Sequence, residues 1–334
     1  MFTAESQVLQ RHLAVFAAKR ILFLGNVQDD FPYECQQTAQ QVRVVSSYFD
    51  YVKRAKLATT FALQAEYQGE DYIVFYWGKN KQECQFQLQQ ILSQAPVGQN
   101  VFIVGENRSG VRSAETFCAE LGEIAKIDSA RRCSLYHFTL QHIPTFDVAK
   151  WWRQYRAEKL ADLSIYALPG VFSAAELDQG TALLLSTLTE SSTGKVLDVG
   201  CGAGVIGAYL KKHNPKITLT MTDIHAMAIA SATETLQQNQ LVGEVFASDV
   251  FSEVTDKFDL IISNPPFHSG LDTAYDAVEN LIREAKNHLN FGGELRIVAN
   301  AFLPYPDLLD RYFGSHQVLA KTGKFKVYQV YKRK

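Results

Sequence analysis

A glycine-rich loop in the second half of the chain constrains the fold more than any other feature. The segment Asp198-Val-Gly-Cys-Gly-Ala-Gly204 connects the apolar run KVLDVG (195–200) to the amphipathic run GVIGAYLKKH (204–213). A buried strand that enters a helix through a tight glycine turn is typical of parallel α/β sheets. Backbone N–H groups at such a helix N-terminus can approach a ligand closely. The loop therefore predicts a binding site at the carboxyl edge of a parallel sheet.

Strands and helices alternate through the rest of this half. A long helix is predicted over 273–289, because its apolar residues recur at helical spacing until the chain reaches Phe291-Gly292-Gly293. Short apolar runs bounded by polar residues predict the remaining strands. These are ITLTMT (217–222), EVFAS (244–248), DLIIS (259–263) and ELRIVA (294–299).

The first half repeats the same order of elements with different loops. It lacks the glycine loop, since Gly25 is followed by NVQDDFP, and it has Gly-Lys-Asn-Lys where the second half has Asn-Pro-Pro-Phe. We therefore predict an α/β protein of two tandem Rossmann-like domains, a degenerate N-terminal duplicate (1–150) and a catalytic domain (160–334). The matched segments are RILFLG (20–25) with KVLDVG, DYIVFYWGKN (71–80) with FDLIISNPPF (258–267), VFIVGEN (101–107) with LRIVAN (295–300), and RCSLYHF (132–138) with FKVYQVY (325–331).

Composition narrows the class of protein. The 334 residues favour two domains, and 47% hydrophobic with 20% charged residues is typical of a globular protein. The five cysteines are odd in number and form no CxxC pair, which argues against a metal site or a disulfide framework and favours a reducing cytoplasm. A formal net charge of −2 argues against a protein that coats RNA. We expect no membrane contact and treat the chain as a monomer.

Three acidic residues end three successive predicted strands. Asp223 is placed to accept from the ribose hydroxyls of an adenosine group, as in both NAD and S-adenosylmethionine sites. Asp249 is placed to accept from the adenine amine, and Asp198 two residues before the first glycine favours S-adenosylmethionine over NAD. We therefore predict S-adenosylmethionine as the cofactor. Its other predicted contacts are Gly200, Cys201, Gly202, Gly204, Ile224 and Val250.

The motif Asn264-Pro265-Pro266-Phe267 follows the fourth strand. An exocyclic amine on a base is a weak nucleophile, because its lone pair is delocalised into the ring. The Asn264 side-chain oxygen and the Pro265 carbonyl can accept its two hydrogens and aim the lone pair at a methyl group. The prolines stiffen the loop, and Phe267 can stack on a flipped-out base. The motif predicts amino-group methylation of a base, with neither metal nor covalent enzyme intermediate.

Taken together, these motifs resemble the class I methyltransferases and, more narrowly, the ribosomal RNA small subunit methyltransferase C family. The resemblance is carried by NPPFHSG (264–270), LPGVFS (168–173) with LDQGTALLL, and the doubled domain. It implies methylation of guanosine to N2-methylguanosine in small-subunit ribosomal RNA. It also implies that Phe172 and Ser173 lie over the cofactor or the base, and that His268 has a solvent-side or hydrogen-bonding role near the substrate.

Several clusters of cations are candidates for contacts with RNA phosphates. An RNA partner within the small ribosomal subunit is expected, although solvated charged faces and tryptophan packing explain such clusters equally well. The clusters are Lys150, Trp151, Trp152, Arg153, Tyr155, Arg156 and Lys159, then Lys53, Arg54 and Lys56, then Arg131 and Arg132, and finally Lys324, Lys326, Lys332, Arg333 and Lys334.

Five alternatives stay open on the sequence. A large-subunit guanine-N2 methyltransferase has the same doubled architecture. Adenine N6 and protein glutamine are also methylated at NPPF-type loops. An RNA-binding ribosome assembly factor with a vestigial site is disfavoured by the intact set of three aspartates and Asn264. An NAD-dependent dehydrogenase is disfavoured by the NPPF motif.

Overall fold

The protein forms two compact units that divide after Trp151, within the segment where the boundary is expected. The computed structural model describes residues 2–160, 162–188, 194–265 and 271–333, with the backbone alone at 271–277. Over this part of the chain, no helix has the length and apolar character needed to cross a bilayer. All five cysteines are buried free thiols.

The first unit is built on a seven-stranded sheet in the order β3-β2-β1-β4-β5-β7-β6. Strands β1 to β5 run parallel, and β7 is antiparallel to both β5 and β6. Its elements are α1 (Ala4–Gln10), β1 (Arg20–Gly25), α2 (Phe31–Gln36), β2 (Gln41–Ser46), α3 (Phe49–Arg54), β3 (Thr60–Phe61), β4 (Tyr72–Tyr76), α4 (Lys81–Leu92), β5 (Asn100–Glu106), α5 (Ser113–Ala119), β6 (Gly122–Ala130) and β7 (Cys133–Leu140).

The second unit begins with a two-stranded ribbon and continues into a sheet of the order β12-β11-β10-β13-β14-β16-β15. Its elements are β8 (Arg153–Tyr155), β9 (Ile165–Ala167), α6 (Gln179–Leu185), β10 (Lys195–Val199), α7 (Val205–His213), β11 (Thr218–Asp223), α8 (Ala226–Gln238), β12 (Glu244–Ala247), β13 (Phe258–Ser263), α9 (Leu271–His288), β14 (Leu289–Asn300), α10 (Tyr305–Phe313), β15 (Gln317–Lys321) and β16 (Phe325–Tyr331).

The two sheets have the same strand order, so the predicted fold class of two tandem Rossmann-like domains is confirmed. In each sheet, neighbouring strands are parallel except at the end where the last two strands pair antiparallel. Parallel strands need helices on both faces, and apolar clusters accordingly fill both faces of the first sheet. In the second sheet, α9 and α10 cover one face through a cluster that includes Leu197, Ile261 and Ile297.

Strand register corrects one of the sequence matches between the two halves. Phe23 of β1 pairs with Val74 of β4, and the equivalent Asp198 of β10 pairs with Ile262 of β13. Val74 therefore corresponds to Ile262, one residue away from the match of 71–80 with 258–267. Both strands are apolar on both faces, so a shift by one residue leaves the hydrophobic pattern almost unchanged.

With this register, the first sheet carries different side chains at the three strand-end positions. Phe23 stands where the second sheet has Asp198, and Tyr76 stands where it has Asn264. The rings of Phe23 and Tyr76 lie 6.5 Å apart between centroids. The Tyr76 hydroxyl shares a 2.7 Å hydrogen bond with the Ser6 hydroxyl. Ser46 occupies the position of Asp223 and is also buried.

The basic and aromatic segment 150–159 forms a 3-10 turn, the short strand β8 and a second 3-10 turn. One strand of the second sheet starts earlier than the sequence predicts. Strand β14 begins at Leu289, so Gly292 and Gly293 lie inside a strand with a register shift against β13. Glycines are common at a strand irregularity of this kind, and the strand starts five residues before the predicted range 294–299.

Gly207 lies in the first turn of α7, where this helix packs closely against the sheet. A Cβ built on Gly207 would lie 2.2 Å from the sulfur of Met221, which is fully buried on β11. We predict that Gly207→Ala lowers the free energy of unfolding by about 1–3 kcal/mol through overpacking. Denaturant titration measures this, with Gly323→Ala as the control because its Cβ would meet open space. Equal stability of the two variants would contradict the prediction.

Candidate active site

The carboxyl ends of three neighbouring strands bring the predicted polar residues to one edge of the second sheet. Strand β10 lies between β11 and β13, and all three run parallel. Asp198 lies near the end of β10, Asp223 ends β11, and Asn264 follows β13 directly. Ligands of open α/β sheets bind at this edge, next to the point where the strand order reverses.

Two glycines of the loop leave open space above the backbone. Gly200 and Gly202 have φ angles of +70° and +53°, in the left-handed region that disfavours side chains. A Cβ on Gly200 would have no neighbour within 4 Å, and one on Gly202 would only reach 3.9 Å from the Phe172 carbonyl oxygen. This open backbone cradle fits the methionine part of S-adenosylmethionine. The Gly202 N–H donates to Oδ2 of Asp223 at 3.0 Å, which joins the cradle to the next strand.

Gly204, the last glycine of the loop, and Gly207 in α7 lie against neighbouring elements rather than open space. A Cβ on Gly204 would lie 3.0 Å from Ala232 of α8. A Cβ on Gly207 would strike Met221. Gly204 therefore allows the close approach of α7 and α8. Its predicted contact with the cofactor stays a prediction.

Asp198 is fully buried beneath the loop. Its Oδ2 accepts from the Gly207 N–H at 3.0 Å, and its Oδ1 has no hydrogen-bond partner among the described residues. Burial raises the pKa of this carboxyl to about 7, the charge of Asp223 adds to the rise, and the Gly207 N–H opposes it. An orphaned acceptor of this kind fits a bound cationic ligand that supplies the missing partner.

Asp223 and Asp249 differ in exposure. Asp223 accepts from the Gly202 and His225 backbone N–H groups, each at 3.0 Å, and burial raises its pKa. Asp249 is exposed, at the end of the segment that follows β12. The next residue, Val250, has φ +52°, which is a strained conformation for a β-branched side chain. The Ser248 hydroxyl donates to its carbonyl at 3.0 Å and fixes this turn.

The remaining predicted cofactor contacts border the loop. Ile224 follows Asp223 with 36% of its surface exposed, so it can pack on a flat ligand. Cys201 is buried, and burial raises the pKa of its thiol well above the ordinary value. A thiol in this state is not a nucleophile.

The structure places the 171–173 segment over the glycine loop. The Phe172 carbonyl faces Gly202, while the Phe172 side chain is 57% exposed. Ser173 has φ +58°, and its hydroxyl donates to the Glu176 carbonyl. The backbone of this segment therefore lies over the glycine loop, with the Phe172 side chain exposed beside it, and the predicted contacts of Phe172 and Ser173 with a ligand stay predictions.

Asn264 meets two residues that the sequence analysis did not single out. Its Nδ2 donates to Asp178 and to Thr181, and its Oδ1 is buried without a partner in the described part of the chain. Asp178 and Thr181 lie 86 and 83 positions before Asn264, so only the quoted LDQGTALLL motif could have drawn attention to them. Pro265 is buried next to Asn264. Pro266, Phe267 and His268 lie outside the described residues.

The candidate RNA clusters differ in how far their charges are already paired. Arg54 donates to the carbonyl and side chain of Gln28, and Lys56 lies 3.6 Å from Asp30. Trp151 packs on Phe86, as expected for a structural role. Other members of the clusters keep exposed side chains. They include Arg131 and Arg132 in the β6–β7 turn and Lys324 after β15. The Lys324 carbonyl accepts from the Ala301 N–H at 2.8 Å, and the next residue, Phe302, is 79% exposed.

The seven-stranded sheet with the open glycine loop and the strand-end acids defines a class I S-adenosylmethionine-dependent methyltransferase. Residues 162–329 match the family described as methyltransferase small domain, and residues 6–155 match its N-terminal domain family. Among curated proteins, the chain is 63% identical over 330 residues to ribosomal RNA small subunit methyltransferase C of Pasteurella multocida. It is 61% identical over 331 residues to that of Mannheimia succiniciproducens. Both alignments cover 99% of each chain.

The chain belongs to the ribosomal RNA small subunit methyltransferase C family. Its membership confirms the resemblance, the enzyme class and the cofactor predicted from the sequence. The fold is also that of a T. thermophilus 16S rRNA N2 methyltransferase solved with AdoMet and guanosine. The TM-score is 0.85 at 24% identity, over 99% of this chain and 92% of that chain.

The buried Asp198 carboxyl should make the stability of the fold depend on pH. The folded protein holds the Asp198 proton up to about pH 7, whereas the unfolded chain loses it near pH 4, so this group's contribution to stability declines as pH rises through that window. We predict that Asp198→Asn is more stable than the wild type above pH 7, by about 3–4 kcal/mol at most, without bound cofactor. The difference should shrink as pH falls from 7 to 4.

Denaturant titrations of both proteins at pH 4.5, 6 and 8 measure this difference, and calorimetric titration of S-adenosylmethionine should show weaker binding by the variant. A stability difference that is constant with pH would contradict the assigned pKa. Unchanged cofactor affinity would remove Asp198 from the binding site.

Proposed function

We propose that this protein transfers a methyl group from S-adenosylmethionine to the exocyclic N2 amine of a guanosine in small-subunit ribosomal RNA. The observation that carries the proposal is the unpartnered Oδ1 of Asn264, buried at the strand edge beside the cofactor loop. The names of the curated relatives support the choice of small-subunit RNA. The T. thermophilus protein, whose structure holds AdoMet and guanosine, supports guanosine as the nucleoside.

The residues have separate roles in the proposed reaction. The backbone of Gly200 and Gly202 receives the methionine part of the cofactor, Asp223 the ribose, and Asp249 with Ile224 and Val250 the adenine. S-Adenosylmethionine supplies an electrophilic methyl group on a sulfonium. Phe172 and Phe267 border the base, and Ser173, Pro266 and His268 complete the proposed substrate side. Asn264 Oδ1 and the Pro265 carbonyl accept the two amine hydrogens.

Those two acceptors explain why the site needs no strong base. Hydrogen bonds to both amine hydrogens favour a pyramidal nitrogen, so the lone pair is directed at the methyl group. The nitrogen becomes positively charged as the methyl bond forms, and its proton is then acidic enough to pass to water. Among the described residues, no group of three or more histidine, cysteine or acidic side chains is arranged to hold a metal ion.

We assign the first unit, residues 1–150, to support and RNA guidance rather than cofactor binding, and residues 160–334 to catalysis. The supporting observation is that Phe23 and Tyr76 fill the positions of Asp198 and Asn264. Phe23 has no polar side-chain atom, and the Tyr76 hydroxyl is already hydrogen-bonded to Ser6, so neither side chain replaces Asp198 or Asn264. We further propose that the protein acts as a monomer in the cytoplasm on RNA within the small ribosomal subunit. Recognition of the shape of folded RNA there would not require a strongly basic protein surface.

A product assay tests the proposal and includes Asn264→Ala. Purified protein is incubated with labelled cofactor and with small or large subunits from a strain that lacks it, and the RNA is digested to nucleosides. We expect label in N2-methylguanosine from the small subunit alone. Asn264→Ala should lower turnover on the order of 10²–10³-fold with nearly unchanged cofactor affinity, because only the amine loses its acceptor.

Asn300→Ala is the matched control, since Asn300 ends the neighbouring strand β14 at the same edge. Label found in N6-methyladenosine, in large-subunit RNA or in protein would each contradict the proposed substrate. Near-wild-type turnover by Asn264→Ala would remove Asn264 from the catalytic role.

The β6–β7 turn provides a test of RNA guidance. Arg131 and Arg132 both have positive φ, +51° and +62°, in a two-residue hairpin turn that favours Asn-Gly. Two exposed arginines in a strained turn suggest selection for charge rather than stability. We predict that Arg131→Asn with Arg132→Gly stabilises the fold by up to about 1 kcal/mol while weakening RNA binding. Binding is measured against salt concentration, where the variant should show a smaller slope.

Lys53→Ala with Lys56→Ala serves as the comparison, because Lys56 already faces Asp30. If the turn variant binds RNA as tightly as the wild type at every salt concentration, the turn makes no phosphate contact.

A further inference from the structure

The side-chain amide of Asn264 is held from one side by the start of α6. Its Nδ2 donates to Asp178 Oδ2 at 3.2 Å and to Thr181 Oγ1 at 2.8 Å. Both amide hydrogens are therefore used within the protein. The Oδ1 at the other end of the amide is buried and has no partner in the described part of the chain.

The chemistry of the two partners fixes which end of the amide faces them. An ionised carboxylate has acceptors only, so the atom of Asn264 that meets Asp178 must be the NH₂ nitrogen. The Thr181 hydroxyl can accept as well, and its hydrogen remains available for another acceptor. The reversed amide would place an oxygen against the carboxylate, which is repulsive. Asn264 Oδ1 consequently faces away from α6.

The two partners are themselves fixed by the helix. Asp178 is the N-cap of α6, and its Oδ2 accepts from the Thr181 N–H at 2.8 Å as well as from Asn264. Thr181 is 5% exposed. Gly180 between them allows close packing, since a Cβ there would lie 3.2 Å from the Phe325 ring of β16. The same Asp178 oxygen therefore caps the helix and orients the Asn264 amide.

We propose that Asp178 and Thr181 are positioning residues that hold Asn264 with its oxygen toward the substrate amine. This inference rests on the proposed amine methylation and names what makes Asn264 selective. A free asparagine amide can rotate by about 180° with little change in shape, and would then present hydrogens to an amine that also offers hydrogens. The held amide offers an acceptor only. The site therefore admits an NH₂ group and rejects a carbonyl oxygen at the same position.

A pair of substitutions at Thr181 separates positioning from structure. Thr181→Val keeps the shape but removes the acceptor, whereas Thr181→Ser keeps the hydroxyl. We expect kcat to fall about 10–100-fold in the valine variant, with KM for the RNA and cofactor affinity within about twofold of the wild type. The serine variant should retain kcat within a few-fold. Melting temperatures of both variants show whether the valine variant is folded.

A spectroscopic measurement tests the amide itself, independently of the product formed. With asparagine-selective ¹⁵N labelling of the whole protein, the Asn264 NH₂ resonances, assigned through Asn264→Ala, should exchange slowly with water in the wild type. In Thr181→Val they should exchange faster or appear as two sets. Asp178→Asn should give the same result, because an asparagine at 178 can face either end of the amide and no longer dictates its direction.

The outcomes distinguish this inference from the proposed function. Equal kcat for the valine and serine variants, or wild-type amide exchange in Thr181→Val, would overturn the positioning role even if the product is N2-methylguanosine. A product other than N2-methylguanosine would overturn the proposed substrate. The positioning role would still hold if the valine variant lost turnover on that other amine and its amide signal changed.

Discussion

Parallel pairing of β10 with β11 and β13 is the constraint on which the rest of the site depends. Parallel strands end at the same edge, so residues far apart in sequence meet there. The strands also have to be covered on both faces. Gly204 and Gly207 make this possible on one face, because they let α7 lie against α8 and β11. The open cradle at Gly200 and Gly202 therefore depends on the packing of α7, which begins directly after it.

Burial in this edge region leaves one unpaired oxygen on each of two polar side chains. Asp198 is fully buried, which raises its pKa and costs stability. Asn264 is half-buried, and its nitrogen is held by α6 while its buried oxygen has no partner in the described part of the chain. In both cases the unsatisfied atom faces the region where a ligand is expected. Two of the unpartnered buried polar atoms in the described part of the chain therefore lie at the edge where we propose that the ligands bind.

The sequence was sufficient to predict most of the fold. KVLDVG and RILFLG mark β10 and β1 because a strand buried on both faces reads as an uninterrupted apolar run before a glycine. The same property hid the correct register of β4, since Val74 and its neighbours are apolar on both faces. Asp178 and Thr181 could not be predicted to act on Asn264, because their contact spans more than 80 residues and depends on how α6 packs. Local patterns predict elements and strand ends, whereas contacts between distant loops require the packed structure.

The Phe23–Tyr76 pair in the first sheet has a consequence for the history of the two halves. A cofactor site like the one we propose for the second unit would require an acid at 23, an acceptor at 76 and a glycine loop after Gly25 in the first unit. A carboxylate at 23 alone would be buried beside aromatic rings with nothing to pair it, so the first step would destabilise the fold. Such a site could not be built in the first unit by substitutions that are each tolerated on their own. The Phe23–Tyr76 pair would therefore preserve the proposed division between a supporting first unit and a catalytic second unit.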